Sequence, residues 1–176
     1  MPELPEVEVV KKSLRKTIYD LTIKNIEINN KFLRYEINEK LMKKMIKSKV
    51  ISISRRSKYI LINLNNNYTI LVHLGMTGKF IIVDAYKNKH KTSFYYRLID
   101  NKPKHDHLII KFNKNTTLIY NDIRKFGFIK ILQTKKLNLC SHLKKLGPEP
   151  LSKKFNTEYF KKNSIKRKIF IKDLLM

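Results

Sequence analysis

The sequence predicts an α+β fold: a two-layered antiparallel β-sandwich with an N-terminal helix, followed by the start of a truncated helical domain. Three observations carry this. A helical period is confined to the N-terminus, and short apolar runs of period two recur about every ten residues through the middle. The pattern then changes after the string GPEP, Gly147 to Pro150, the strongest break in the chain.

The first element is a helix over residues 5–20. Val7, Val10, Leu14 and Ile18 recur at spacings of three and four, while Lys11, Lys12, Arg15 and Lys16 take the other face. Glu6 and Glu8 in the first turn suit the positive end of the helix dipole. Strands follow, beginning with Ile23, Ile26 and Ile28, and a short helix near Asn38 to Ile46 interrupts them. Further strands are expected at Val50–Ile53, Tyr59–Leu64, Tyr68–Leu74, Phe80–Val83, Leu108–Phe112, Thr117–Tyr120 and Phe128–Leu132. Asp84 to Lys104 is a polar, basic excursion with possible strand content around Phe94 to Ile99. Past GPEP, residues 152–162 read as helical, and Ser164 is a candidate cap for a second helix carrying Ile165, Ile169 and Leu174. The chain stops on Leu174, Leu175 and Met176 without a cap, which leads us to expect a truncated second domain. The expected division is 1–147 for the sandwich and 148–176 for the incomplete helical part.

The chain has 176 residues and a net charge of +25, so a polyanion is its expected partner, with nucleic acid first. Of 39 cations 32 are Lys, beside 23 Ile and 16 Asn; these three share A/T-rich codons, so genome bias supplies an alternative source of the lysine. A hydrophobic content of 42% excludes a disordered basic tail, and no apolar run reaches the ~20 residues of a membrane span. Glu3, Glu6 and Glu8 occupy the place where a secretory signal needs basic and apolar residues, so the cytoplasm is the expected compartment. The single Cys140 allows neither an internal disulfide nor a cysteine zinc site, and reads as a small buried residue.

The opening MPELPEVE is the most informative string. Removal of Met1 exposes the secondary amine of Pro2, and an α-amino group of pKa about 8 is partly unprotonated near neutrality. Such an amine can attack an electrophilic sugar carbon and form an iminium, with Glu3 as proton donor or relay. On its own, the string reads first as a proline-initiated helix with early carboxylates, a common pattern. His105 and His107, two apart on an expected strand, would share a face; a metal pair there lacks any further Cys or His nearby.

Five more segments follow in order: RRSKYILINL (Arg55 to Leu64), HLGMTGKF (His73 to Phe80), KHDH (Lys104 to His107), YNDIRKFGF (Tyr120 to Phe128) and HLKKLGPEPL (His142 to Leu151). Together with MPELPEVE, they resemble the formamidopyrimidine-DNA glycosylase family, bacterial enzymes that excise oxidised purines such as 8-oxoguanine. The resemblance runs almost from end to end of the chain. It implies a base-excision repair glycosylase and AP lyase, acting as a monomer in the nucleoid on double-stranded DNA with oxidised purines or abasic sites. Pro2 would be the nucleophile, Glu3 the proton donor and Lys58 the lysine beside the lesion phosphate, with Glu6 shaping the pocket. His73, His105 and Lys162 would contact DNA. Met76, Arg124 and Phe126 would fill the gap left by an extruded base, with Arg124 facing the orphaned cytosine.

The sequence also departs from that family. It lacks the glycine-rich asparagine segment, the completed helix–two-turns–helix module and the four-cysteine zinc finger with its arginine, so no cofactor is expected. The excursion at 84–104 is longer than the family's loop. Two other readings therefore stand beside the enzyme: a non-catalytic DNA-binding remnant or gene fragment without the C-terminal clamp, and an RNA- or ribosome-associated basic protein.

Overall fold

The computed structural model describes residues 2–93, 102–165, 167, 168 and 170. Helix α1 (Leu4–Ile18) begins where Pro5 fits an early helical position and Glu3 sits extended at the N-cap. Its apolar stripe of Val7, Val10, Leu14 and Ile18 is buried almost completely against β2 (Val50–Arg56) and β3 (Tyr59–Leu64). Each such side chain contributes about 1.5–3 kcal/mol on leaving water, which is what holds α1 to the sandwich.

Two antiparallel sheets make the layers. One runs β2–β3–β4–β9, with β4 at Tyr68–His73 and β9 at Phe128–Gln133. The other runs β1–β7–β8–β5–β6, with β1 at Ile23–Ile28, β5 at Lys79–Val83, β6 at Lys89–Lys91, β7 at Asp106–Phe112 and β8 at Thr117–Asn121. Period two sorts their side chains. Ile60, Ile62, Ile70, Val72, Ile129 and Ile131 point into the shared core and meet Phe80, Ile82, Leu108, Ile110 and Leu118. Leu61, Leu71 and Phe128 point outward instead, where Leu137, Cys140 and Leu143 cover them. Cys140 is thus partly, not fully, buried. Helix α2 (Glu39–Lys43) is capped by the Asn38 side chain, which accepts from Leu41 N–H at 2.9 Å.

Among its described residues the excursion contains a strand that its sequence does not announce. In β6, Lys89, His90 and Lys91 are all exposed, so no apolar alternation marks it. The possible strand at 94–99 lies outside the described residues. So does most of the final expected helix, and its described part differs from expectation. Ser164 is the last residue of helix α4 (Thr157–Ser164) rather than a cap for another, because its Oγ donates back to the Lys161 carbonyl. (Helix α3 is the single turn Ser141–Lys144.) Ile165 is already extended. The helical stretch read over 152–162 therefore starts later, at the Asn156 cap, whose side chain accepts from Tyr159 N–H at 2.8 Å.

The two histidines of KHDH also separate. His105 closes a 3-10 turn over Pro103–His105, whereas His107 is inside β7 and 1% exposed. The proline at the head of that turn bends the chain before the strand begins, so the shared face expected from their spacing does not form. Among the described residues no helix is long and apolar enough to cross a membrane.

Candidate functional site

Strand register decides what meets. Tyr59 at the start of β3 pairs with His73 at the end of β4, and His73 pairs with Phe128 at the start of β9. One end of the sheet thus carries the β2–β3 turn with Lys58, the β4–β5 loop with Met76, and the β8–β9 loop with Arg124 and Phe126. The N-terminus of α1 joins the same end, because the Lys58 Nζ lies 2.6 Å from a carboxylate oxygen of Glu3. Pro2 is half-buried immediately before it. Glu6 accepts from the Glu3 N–H at 2.9 Å, one arm of a capping box, and so fixes how the chain enters the helix.

The two loops brace each other. Gly75 adopts φ +63°, and a Cβ there would stand 2.4 Å from Gly127 N, so the backbones touch where only glycine fits. Asp122 is fully buried beneath them. Its carboxylate accepts from Thr77 Oγ1 at 2.5 Å and from Gly127 N–H at 2.8 Å, and Thr77 Oγ1 accepts in turn from Arg124 N–H at 3.0 Å. A buried carboxylate persists only when donors satisfy it, so these four residues lock as one unit. From this base Met76 and Phe126 project with 43% and 46% exposure, and the Arg124 guanidinium lies 4.6 Å from the Phe126 ring centre. Large apolar side chains held out on a braced tip can enter a stacked or apolar partner without first reorganising.

His73 sits at the root of the β4–β5 loop. Its Nδ1 accepts from Gly75 N–H at 3.1 Å and its ring stacks on Phe128 at 5.5 Å. Burial, then the positive charges of Arg34 and Lys58 and the neighbouring His142, hold its pKa below the usual histidine value. The neutral ring therefore carries its proton on Nε2, a donor without a charge.

His105 reaches this end through its backbone, since its carbonyl accepts from Asp122 N–H at 3.1 Å. His107 Nε2 lies 2.7 Å from the Asp122 carbonyl. Among the described residues no group of three or more His, Cys, Asp or Glu is placed to hold a metal ion.

A cleft of about 460 Å³ opens beside Glu3 and Lys58 and is closed on its far side by Gly147, Pro148, Glu149 and the α4 residues Tyr159, Phe160 and Asn163. Lys162 lies exposed within α4 and is outside that lining.

Sequence reasoning missed two groups. Arg55 and Arg56 carry no role in the sequence reading, yet both are paired. Arg55 meets Glu8 at 2.8 Å and Glu149 at 2.9 Å, and Arg56 meets Glu149 at 2.8 Å. Burial pushes Glu149 up, but the Ser57 N–H and both arginines outweigh it, and its carboxyl is held below the usual range. Asp122 is the second, and the sequence reading assigns it no role. Only its spacing to Gly127 within YNDIRKFGF hinted at a structural carboxylate.

Comparison with known proteins bears on this arrangement. Residues 1–129 match the formamidopyrimidine-DNA glycosylase N-terminal domain. A formamidopyrimidine-DNA glycosylase of Rickettsia felis is 38% identical over 177 residues, covering 100% of this chain and 59% of that protein. One from Bartonella quintana is 37% identical over 180 residues, covering 100% of this chain and 60% of its own length. Among solved structures, a complex between the Lactococcus lactis Fpg and DNA containing an abasic site superposes with a TM-score of 0.74 at 32% identity. It covers 92% of this chain and 55% of its own. A complex of that protein with DNA containing N7-benzyl-Fapy-dG gives the same TM-score at 33% identity, covering 92% of this chain and 55% of its own. This chain thus spans about six-tenths of the length of its relatives.

Proposed function

The chain belongs to the formamidopyrimidine-DNA glycosylase family, and from that premise we propose that it is a base-excision repair glycosylase and AP lyase acting on oxidised purines in double-stranded DNA. The observation that carries the proposal is the strand register Tyr59–His73–Phe128, which gathers Glu3–Lys58 and the Met76, Arg124 and Phe126 loops at one end of the sandwich.

The chemistry follows from these residues. With Met1 removed, the Pro2 nitrogen attacks C1′ of the damaged nucleotide and the C1′–N9 bond breaks, its electron pair leaving with the purine. Glu3 and Lys58, 2.6 Å apart, pass a proton to the sugar ring oxygen. The Pro2 nitrogen gives up its own proton to the departing purine anion, the ring opens, and that nitrogen becomes an iminium. That cation acidifies the C2′ proton, whose loss expels the 3′ phosphate; a second elimination expels the 5′ phosphate. Lys58 and the neutral His73 Nε2–H hold the flanking phosphate oxygens. Met76 and Phe126 fill the vacated stack, and the Arg124 fork of donors meets the orphaned base. Flipping one nucleotide costs a few kcal/mol, and a preformed wedge offsets part of it.

We extend the proposal to the remaining assignments. Glu6 orders the pocket entrance, His105 and Lys162 contact the backbone, and the chain divides into 1–147 and 148–176. It works as a monomer in the cytoplasm without a bound cofactor. Incubation with a duplex bearing one 8-oxoguanine tests the reading. The expected result is a one-nucleoside gap with phosphate at both ends, lost in Pro2→Gly. Damage-selective binding with no excised base would overturn it in favour of a non-catalytic DNA-binding role.

A further inference from the structure

The β2–β3 turn that presents Lys58 contains an unfavourable residue. Ser57 has φ +52°, in the left-handed region where a side chain is normally disfavoured. Both of its backbone polar groups are held from outside the turn. Its N–H donates to Glu149 Oε1 at 2.6 Å, and its carbonyl accepts from Arg55 Nη1 at 2.9 Å. Arg55 is itself fixed by Glu149 and Glu8, and Arg56 reaches the same Glu149 carboxylate and the carbonyls of Leu146 and Gly147. One carboxylate 92 residues away in sequence therefore satisfies the strained turn directly and also orients the guanidinium that satisfies its other side.

We infer that Glu149 is a positioning residue for the Pro2–Glu3–Lys58 site, acting through Ser57 to set where the Lys58 ammonium stands. The inference rests on the function proposed above. The effect of Glu149 on Lys58 passes through the turn. A left-handed Ser57 aims Lys58 at Glu3, and relaxing it to an ordinary conformation rotates the next residue away. Glycine adopts the left-handed region without strain. A Ser57→Gly substitution therefore supplies by itself part of what Glu149 enforces.

Single-turnover borohydride trapping on an abasic-site duplex, at saturating protein, separates rate constant from amplitude. Glu149→Gln is expected to lower the trapping rate constant by roughly tenfold to a hundredfold with the final amplitude unchanged, since a displacement of about 1 Å costs that much. The double variant Ser57→Gly/Glu149→Gln is expected to recover most of the loss. A rate constant within about twofold of the parent, or a fall confined to amplitude as a mere loss of folded protein would give, overturns the inference. Should the parent chain trap nothing, the proposed function fails, and reductive methylation of Lys58 decides this inference separately. Protection of Lys58 that Glu149→Gln abolishes supports it; protection left unchanged overturns it.

Discussion

His73 shows how a single residue is set by both neighbours and burial. Its Nδ1 is occupied by Gly75 N–H, and burial with surrounding positive charge lowers its folded-state pKa. The unfolded histidine takes a proton first, near pH 6.5, so between that value and the lower folded pKa the unfolded state binds more protons. Stability then rises with pH across that window and falls as pH drops through it. His73→Asn keeps an acceptor for Gly75 but cannot titrate. Urea midpoints at pH 5 and pH 7.5 should therefore differ more in the parent than in the variant. Equal differences would mean that the ring is not held neutral by the fold. At this scale the sequence was partly legible. HLGMTGKF flagged His73 and Met76, but nothing local in it reveals that Asp122, 45 residues on from Thr77, braces the loop from beneath.

Among the elements, strands were the most legible where both period and length were clean. The expected Tyr59–Leu64 is the observed β3, and Tyr68–Leu74 overshoots β4 by one residue. In β6 the signal vanishes, because an edge strand with every side chain in solvent needs no apolar residue. The pairing of Arg55 with Glu8 and of Arg56 with Glu149 was illegible for a different reason: these contacts span 47 and 93 residues, and sequence periodicity reports only near neighbours. The braced loops make a testable element. Phe126→Ala removes an exposed ring whose partners in the free protein are few, so thermal stability should barely move. Affinity for an abasic-site duplex should fall by about 1–3 kcal/mol, the usual value of an aromatic stack on a base. Loss of thermal stability with no loss of affinity would show the ring to be core rather than wedge.

Across the whole molecule, a net charge of +25 says only that polyanions are attracted. The fold adds direction, because Lys58, itself facing Glu3, and Arg124 stand at one end with the neutral His73, while Arg55 and Arg56 are held in ion pairs with Glu8 and Glu149. Binding to duplex DNA should weaken linearly in log salt, and Lys162→Ala, at an exposed cation proposed to meet the backbone, should reduce the slope by about one unit. The same substitution at a paired cation such as Arg56 should leave the slope almost unchanged; equal effects would mean that the charges act without regard to position. The organisation past Gly147 was the least legible part, since one acidic side chain in GPEP ties that segment to the β2–β3 turn through contacts no local pattern signals. The most direct measurement is peptide mapping of the adduct trapped by borohydride on an abasic-site duplex. The account predicts a sugar remnant on the nitrogen of Pro2 with Met1 gone; a remnant on an internal lysine, persisting in Pro2→Gly, would contradict it.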